Sequence, residues 1–318
     1  MIMASDRSAI IAMVGPTAIG KTELALDIAA QFSCEIIGAD SMQVYRYMDI
    51  GTAKPSLEER NRVPHHLIDV ADPDEDYSAG RYVVDAEQAI RIVRRNSSIP
   101  FLVGGTGLYL RGLTEGLTEL HSGDPLVREE LKKILAEEEG RKLLYDELIR
   151  VDPESAARIH PNDSQRLLRA LEIYRTTGSP WSKHLAREEK HQALRNVLKI
   201  GLTCERDVLY QRINTRTKLM IEQGLEQEVR MLLDRGYHGR LKSMQSIGYR
   251  HMVNYIEGRW PLEKTMELLA RDTRHYAKRQ YTWFNKDREI RWFAPTQREE
   301  IFRSIATYIN ETSLTEHT

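Results

Sequence analysis

The stretch Ala9-Ile10-Ile11-Ala12-Met13-Val14-Gly15-Pro16-Thr17-Ala18-Ile19-Gly20-Lys21-Thr22 decides how this 318-residue chain folds. Its first six residues are a short continuous apolar run, the pattern of a strand buried on both faces. The next eight match the spacing G-x-x-x-x-G-K-[ST], and Lys21 to Phe32 continues with helical spacing of Leu24, Leu26, Ile28 and Ala29. Strand, loop and helix in that order make a phosphate-binding loop. Successive backbone N–H groups of Gly15, Pro16, Thr17, Ala18, Ile19, Gly20, Lys21 and Thr22, proline excepted, can turn inward on an anion at a helix N-terminus, where the peptide dipoles favour negative charge. Lys21 supplies a point charge, and the Thr22 hydroxyl can ligate Mg²⁺. A diphosphate or polyphosphate ligand follows from this motif, but not the identity of the group that it carries.

Working outward, further buried-strand patterns occur at Cys34 to Gly38, His66 to Val70, Pro100 to Val103, Val197 to Leu202 and Glu289 to Phe293, with a helical pattern from Ser78 to Arg95. Strands alternating with helices predict an α/β fold with a mostly parallel sheet flanked by helices. From about His121 to Arg195 the strand patterns stop and helical stretches follow one another: Arg128 to Glu139, Arg141 to Arg150, and Ser164 to Thr177. Helices at Val208 to Gln223, Leu225 to Asp234 and Leu262 to Phe284 close the chain, and Thr312 to Thr318 are expected to fray. The expectation is a P-loop NTPase-like core from residues 1–118 and 196–318, interrupted by an all-helical insertion domain at 119–195.

Composition narrows the class. With 46 Lys+Arg against 47 Asp+Glu, the net charge of -1 means that any nucleic-acid site must be a local patch. Two cysteines, Cys34 and Cys204, build neither a disulfide framework nor a four-ligand zinc site and fit a reducing compartment. No apolar run reaches the roughly 20 residues of a membrane span, and Met1 to Ser8 lacks the pattern of a signal peptide. A cytoplasmic monomer is expected.

The strand pattern from Cys34 ends in Asp40, so its carboxylate reads equally as a magnesium ligand or as a general base. Phe101-Leu102-Val103 instead runs into Gly104-Gly105-Thr106-Gly107, which offers no acid. From here a resemblance accumulates. The phosphate loop, Asp40-Ser41-Met42-Gln43-Val44-Tyr45, Asp49-Ile50-Gly51-Thr52-Ala53-Lys54-Pro55, Pro64-His65-His66-Leu67-Ile68-Asp69 and Gly104-Gly105-Thr106-Gly107-Leu108-Tyr109 resemble, in order, motifs of the tRNA dimethylallyltransferase family, bacterial type. His160-Pro161-Asn162-Asp163, Gln165 to Glu172, Gly248-Tyr249-Arg250 and Lys278 to Phe284 extend the likeness. Ile19 stands at a loop position where the family usually has a smaller residue.

The resemblance implies a reaction between N6 of adenosine 37 in tRNA and C1 of dimethylallyl diphosphate. It makes Asp40 the base and places Thr106 near the reacting amine. By the same resemblance Lys21, Mg²⁺ and Arg216 are expected to stabilise the leaving diphosphate. It also implies tRNA contacts for Asp40, Ser41, Met42, Gln43, Thr106, Arg128, Gln165, Arg166, Leu167, Leu168, Arg169, Gln245, Ser246, Ile247, Gly248, Tyr249 and Arg250.

Other features read as structure. Arg271, Arg274 and Lys278 share one helical face, interleaved with aromatic residues, and suit RNA or plain solvation equally. His65 and His66 have no neighbours at metal-ligand spacing, Met42 and Trp283 suit packing, and Glu137-Glu138-Glu139 suits a solvated helix end. Three other functions fit parts of the sequence. A prenyltransferase of free AMP, ADP or ATP shares the chemistry but needs no helical arm. A P-loop kinase would bind ATP and use Asp40 on Mg²⁺. A non-catalytic RNA-binding module leaves the phosphate loop without a purpose.

Overall fold

The computed structural model describes residues 9–116, 124–186, 194 and 196–314. In chain order, β1 (Ile10–Val14), α1 (Lys21–Gln31), β2 (Cys34–Ala39), α2 (Leu57–Arg62), β3 (His65–His66), α3 (Ala79–Arg95), β4 (Ile99–Gly104) and α4 (Gly107–Glu115) come first. Then follow α5 (Pro125–Leu135), α6 (Gly140–Val151), α7 (Pro153–Arg158), α8 (Ser164–Thr177) and α9 (Trp181–Ala186). The chain ends with β5 (Val197–Leu202), α10 (Arg206–Glu222), α11 (Leu225–Asp234), α12 (Tyr249–Ile256), α13 (Leu262–Phe284), β6 (Arg291–Phe293) and α14 (Arg298–Leu314). Two compact units result, one of residues 1–114 with 194–318 and one of residues 115–193. The boundary positions expected at 118, 119 and 195 lie outside the described residues, as do Met1 to Ser8 and Thr315 to Thr318. Thr312 and Ser313, expected to fray, are in the last turn of α14 instead.

In the first unit the described strands form one parallel sheet in the order β3-β2-β4-β1-β5-β6. β1 and β2 are buried along their whole length, which is why they carry no polar alternation. Ile11, Met13, Phe101 and Ile200 of the sheet pack with Leu24 and Ile28 of α1, Ile213 of α10 and Ile301 of α14 in one core. Register matters most for the site. Val14 of β1 and Ala39 of β2 both pair with Gly104 of β4, so three adjacent strands end level with one another. Whatever follows Val14, Ala39 and Gly104 must therefore emerge side by side at the carboxyl edge, where parallel sheets place their ligands.

Two strands are shorter than their patterns, and of these β6 (Arg291–Phe293) takes up only the end of the run Glu289 to Phe293. The run His66 to Val70 gives only the two-residue β3, His65–His66, because Leu67 (φ 61°) and Asp69 (φ 56°) turn into the left-handed region and break the extended backbone.

The second unit is helical. Leu131, Leu144, Leu148, Leu167 and Leu171 are each fully buried in its core. Asp124, Asp152 and Asp163 cap α5, α7 and α8 by accepting the N–H of Leu126, Ser155 and Arg166, contacts worth about 1 kcal/mol each. Glu137 to Glu139 lie exposed in the turn between α5 and α6, since α5 ends at Leu135.

Candidate active site

Gly20, at φ 103°, caps α1 from the left-handed region and so allows the loop to turn tightly into the helix. Lys21 folds back over the loop, and its ammonium donates to the Gly15 and Pro16 carbonyls at 2.9 and 2.8 Å. Loss of hydration lowers its pKa to about 8; the Asp40 carboxylate opposes that shift, and the Arg216 guanidinium adds to it. Arg216 itself is lowered by loss of hydration, again opposed by Asp40. Three charges thus gather here, two positive and one negative. Arg216 reaches the loop through a 3.3 Å bond to the Thr17 hydroxyl, and Arg212, one turn earlier on α10, donates to the Ile19 carbonyl at 2.9 Å.

Asp40 follows β2 directly. Its Oδ1 accepts the Met42 N–H at 2.9 Å, while Oδ2 has no hydrogen-bond partner among the described residues. Thr106 follows β4. Its N–H donates to the Ala39 carbonyl at 3.1 Å and its hydroxyl oxygen accepts the Ser41 N–H at 3.0 Å. The level strand ends demand this closeness. A Cβ on Gly104 would lie 2.0 Å from the Ala39 carbonyl oxygen, and one on Gly105 would lie 2.2 Å from Nε2 of Gln280.

Two cavities meet at these residues. One, of about 460 Å³, runs along the phosphate loop and is lined also by Gln43, Arg212 and Gln280. The other, of about 260 Å³, is walled by Ser41, Met42, Ile213, Met220, Ile247 and Leu269. Thr17, Asp40, Thr52 and Arg216 belong to both. Tyr276 of α13 also lines the second cavity; loss of hydration and the Asp40 charge raise its phenol, against the Thr106 hydroxyl.

The far wall is braced by Glu228 of α11. Its carboxylate accepts the N–H groups of Asp49, Ile50 and Gly51 at 3.0, 2.8 and 3.1 Å and the Tyr249 hydroxyl at 2.6 Å. Lys54, with its side chain buried, completes the brace through Asp49 and Asp69, each at 2.6 Å. No feature of the sequence singles out Arg212 or Glu228, which reach the site from α10 and α11, whereas Tyr276 is among the aromatic residues interleaved with the basic groups of Arg271 to Phe284 and Gln280 lies in the Lys278 to Phe284 motif, both on α13.

The predicted contact residues separate by burial. Ser41, Met42, Ser246 and Ile247 line the second cavity, Gln43 lines the first, and Gln245, Gln165 and Arg166 are exposed. Tyr249 does not present its side chain to a partner: the ring is fully buried and its hydroxyl is engaged by Glu228. Gly248 is likewise buried, and Leu167 and Leu168 belong to the helical core because α8 turns that face inward. Arg128 and Arg169 both bond the buried Glu172, and Arg250 bonds Asp272 at 2.6 Å. On α13, Arg271, Lys278 and Arg279 are exposed, whereas Arg274 donates to Asn214. His66 pairs with Glu35 at 2.7 Å and His65 meets the Val63 carbonyl, which are structural contacts.

No group of three or more His, Cys, Asp or Glu among the described residues could hold a metal by itself. Thr22 and Asp40 do line the phosphate-loop cavity together. That oxygen pair suits a hard cation completed by ligand phosphate and water. Among the described residues no helix is long and apolar enough to cross a membrane.

Comparison with known proteins agrees with this geometry. The IPP transferase family profile matches residues 43–287, and the isopentenyl transferase profile matches residues 8–73. The tRNA dimethylallyltransferase of Desulfotalea psychrophila is 50% identical over 309 residues, covering 97% of this chain and 98% of the relative. The tRNA dimethylallyltransferase 2 of Geotalea uraniireducens is 49% identical, with coverage of 98% and 99%. Among solved structures, the full-length tRNA isopentenylpyrophosphate transferase of Bacillus halodurans superposes with a TM-score of 0.71 at 41% identity, covering 98% of this chain and all of that one. A eukaryotic dimethylallyltransferase acting on tRNA gives 0.71 at 31% identity, covering 87% of this chain and 70% of that one. Phosphate loop, level strand ends and full-length likeness lead to one conclusion: the chain belongs to the tRNA dimethylallyltransferase family.

Proposed function

We propose that the enzyme transfers the dimethylallyl group of dimethylallyl diphosphate to N6 of adenosine 37 in tRNA, giving N6-(dimethylallyl)adenosine and diphosphate. The observation that carries this reading is the junction of the two cavities at Asp40, Thr17 and Arg216. Diphosphate occupies the phosphate-loop side. The adenine base, turned out of its stack, enters on the side walled by Ser41, Met42 and Ile247, among apolar groups that replace its stacking partners.

The C1–O bond breaks and the N6–C1 bond forms. The electron pair of the broken bond leaves with diphosphate, and the N6 proton passes to Asp40. An aromatic amine is a weak nucleophile, so proton removal as the bond forms favours attack. Lys21 and Arg216 meet the charge that develops on the leaving group. Thr106 holds Ser41 against Asp40 and so fixes the edge over which the amine approaches. Thr22 and Asp40, which line the same cavity, would hold a Mg²⁺ ion that would supply further positive charge to the diphosphate.

In the helical unit, Arg128, Gln165, Arg166 and Arg169 hold the anticodon stem-loop. This grip separates the reading from transfer to free AMP, which needs no such arm. The proposed enzyme works as a cytoplasmic monomer. Incubation with labelled dimethylallyl diphosphate and Mg²⁺, offering unmodified tRNA or AMP, tests the proposal. Label is expected in tRNA and lost on replacing adenosine 37; label in AMP alone would reject the assignment.

A further inference from the structure

In the helical unit a buried acid sits beneath the two arginines of the proposed tRNA grip. Glu172 of α8 is 2% exposed, and its Oε2 accepts Arg128 of α5 at 2.8 Å and Arg169, one turn earlier on α8, at 2.9 Å. Both arginines keep part of their side chain in solvent, 35% for Arg128 and 22% for Arg169. A carboxylate placed there is expensive for the fold, because its charge leaves water and must be matched by its partners. It also stands where a ligand of the same sign would approach. An apolar residue would fill the position better if packing were its only purpose, as Leu167, Leu168 and Leu171 do on the same helix.

We infer that Glu172 is a positioning residue for RNA. It draws the guanidinium groups of Arg128 and Arg169 to a single point and holds them as one fork for the phosphodiester backbone. Without it, the two guanidinium groups lose their common acceptor, and more of their rotamer freedom must be given up at the moment of binding. The inference rests on the reading that this unit grips tRNA.

Simple electrostatics and positioning predict opposite signs for Glu172→Gln. Removing a negative charge near an anionic ligand tightens binding if charge alone counts. Loss of the fork weakens it. The experiment is tRNA affinity across a range of salt concentrations for the wild-type enzyme, Glu172→Gln, Arg128→Ala and the double variant. Glu172→Gln is expected to weaken binding about 5- to 30-fold, the scale of re-ordering rotamer-rich side chains at an interface. The slope of log affinity against log salt should become shallower by about 0.7 to 0.9 for each phosphate that the arginines no longer neutralise. Arg128→Ala is expected to cost less in the Gln background than in the wild type, because the arginine is already unpositioned. Equal or tighter binding by Glu172→Gln, with an unchanged slope and additive effects, would overturn the inference. If Glu172→Gln melts early, Glu172→Asp keeps the charge and withdraws the oxygen by one methylene; weakened tRNA binding supports the inference and wild-type binding overturns it. Failure of the wild-type enzyme to bind tRNA would overturn the underlying reading as well, which separates the two failures.

Discussion

Oε1 of Gln280 accepts the backbone N–H of Thr17 at 2.9 Å, joining α13 to the phosphate loop across 263 positions of sequence. The same amide donates through Nε2 to the Gly105 carbonyl at 2.9 Å, so one buried side chain ties the phosphate loop to the residue before Thr106. Gln280→Glu keeps the acceptor and removes the donor, leaving a carboxylate against a carbonyl oxygen. We expect a loss of about 1–3 kcal/mol in stability and a fall in single-turnover transfer that exceeds the effect of Gln280→Ala. Thermal melting and rapid-quench kinetics measure the two. Wild-type rates in both variants would show that the loops hold their places unaided.

Lys21 should make diphosphate binding depend on pH. Its pKa in the free enzyme is lowered to about 8, so the ammonium is charged below that value and increasingly neutral above it. A bound diphosphate favours the charged form, so binding takes up a proton on the alkaline side of pH 8. Affinity for dimethylallyl diphosphate should therefore be level below about pH 7 and fall as pH rises through 8. Lys21→Arg, which stays charged, should bind more weakly but without that fall. Calorimetry in buffers of different ionisation enthalpy would detect the proton; equal heats in all of them at pH 9 would refute the assignment.

The brace formed by Glu228 can be taken apart in steps. Tyr249→Phe removes one of its four donors and should cost about 1 kcal/mol. Glu228→Ala leaves the N–H groups of Asp49, Ile50 and Gly51 without their acceptor and should cost about 2–4 kcal/mol. Denaturant unfolding gives both values. Since Gly51 and Thr52 line the second cavity, Glu228→Ala should also raise the KM for tRNA more than that for dimethylallyl diphosphate. An equal rise in both would place the brace outside the adenine path.

What could be read from the sequence followed physical periodicity. Continuous apolar runs located β1, β2, β4 and β5, because a strand buried on both faces leaves no polar alternation to confuse. The same rule overextended β3, since Leu67-Ile68 is apolar yet Leu67 and Asp69 adopt positive φ, which hydrophobicity does not encode. The helical pattern missed α4, whose first residue, Gly107, reads as a breaker. A Cβ there would lie 2.1 Å from the Trp283 ring, so packing against α13 dictates the glycine. Of the residues of the site that follow strands, Lys21 and Asp40 were legible from motif and position, and Thr106 through the resemblance. Arg216 was legible through resemblance alone. Gln280, Arg212 and Glu228 depend on how distant helices dock, and no local pattern records that. Burial sets Leu167, Leu168 and Tyr249 apart from the other expected tRNA contacts: their side chains sit inside motifs whose function is partly to pack.

In the proposed reaction everything turns on Asp40 removing the N6 proton where the two cavities meet. The decisive measurement is single-turnover transfer to tRNA by Asp40→Asn, with tRNA affinity determined in parallel. If Asp40 is the base, the rate falls by about 10²- to 10⁴-fold, the range of general-base catalysis, with tRNA affinity within a few-fold of wild type. A near-wild-type rate would contradict that role and return the Asp40 carboxylate to holding Mg²⁺ or to structure.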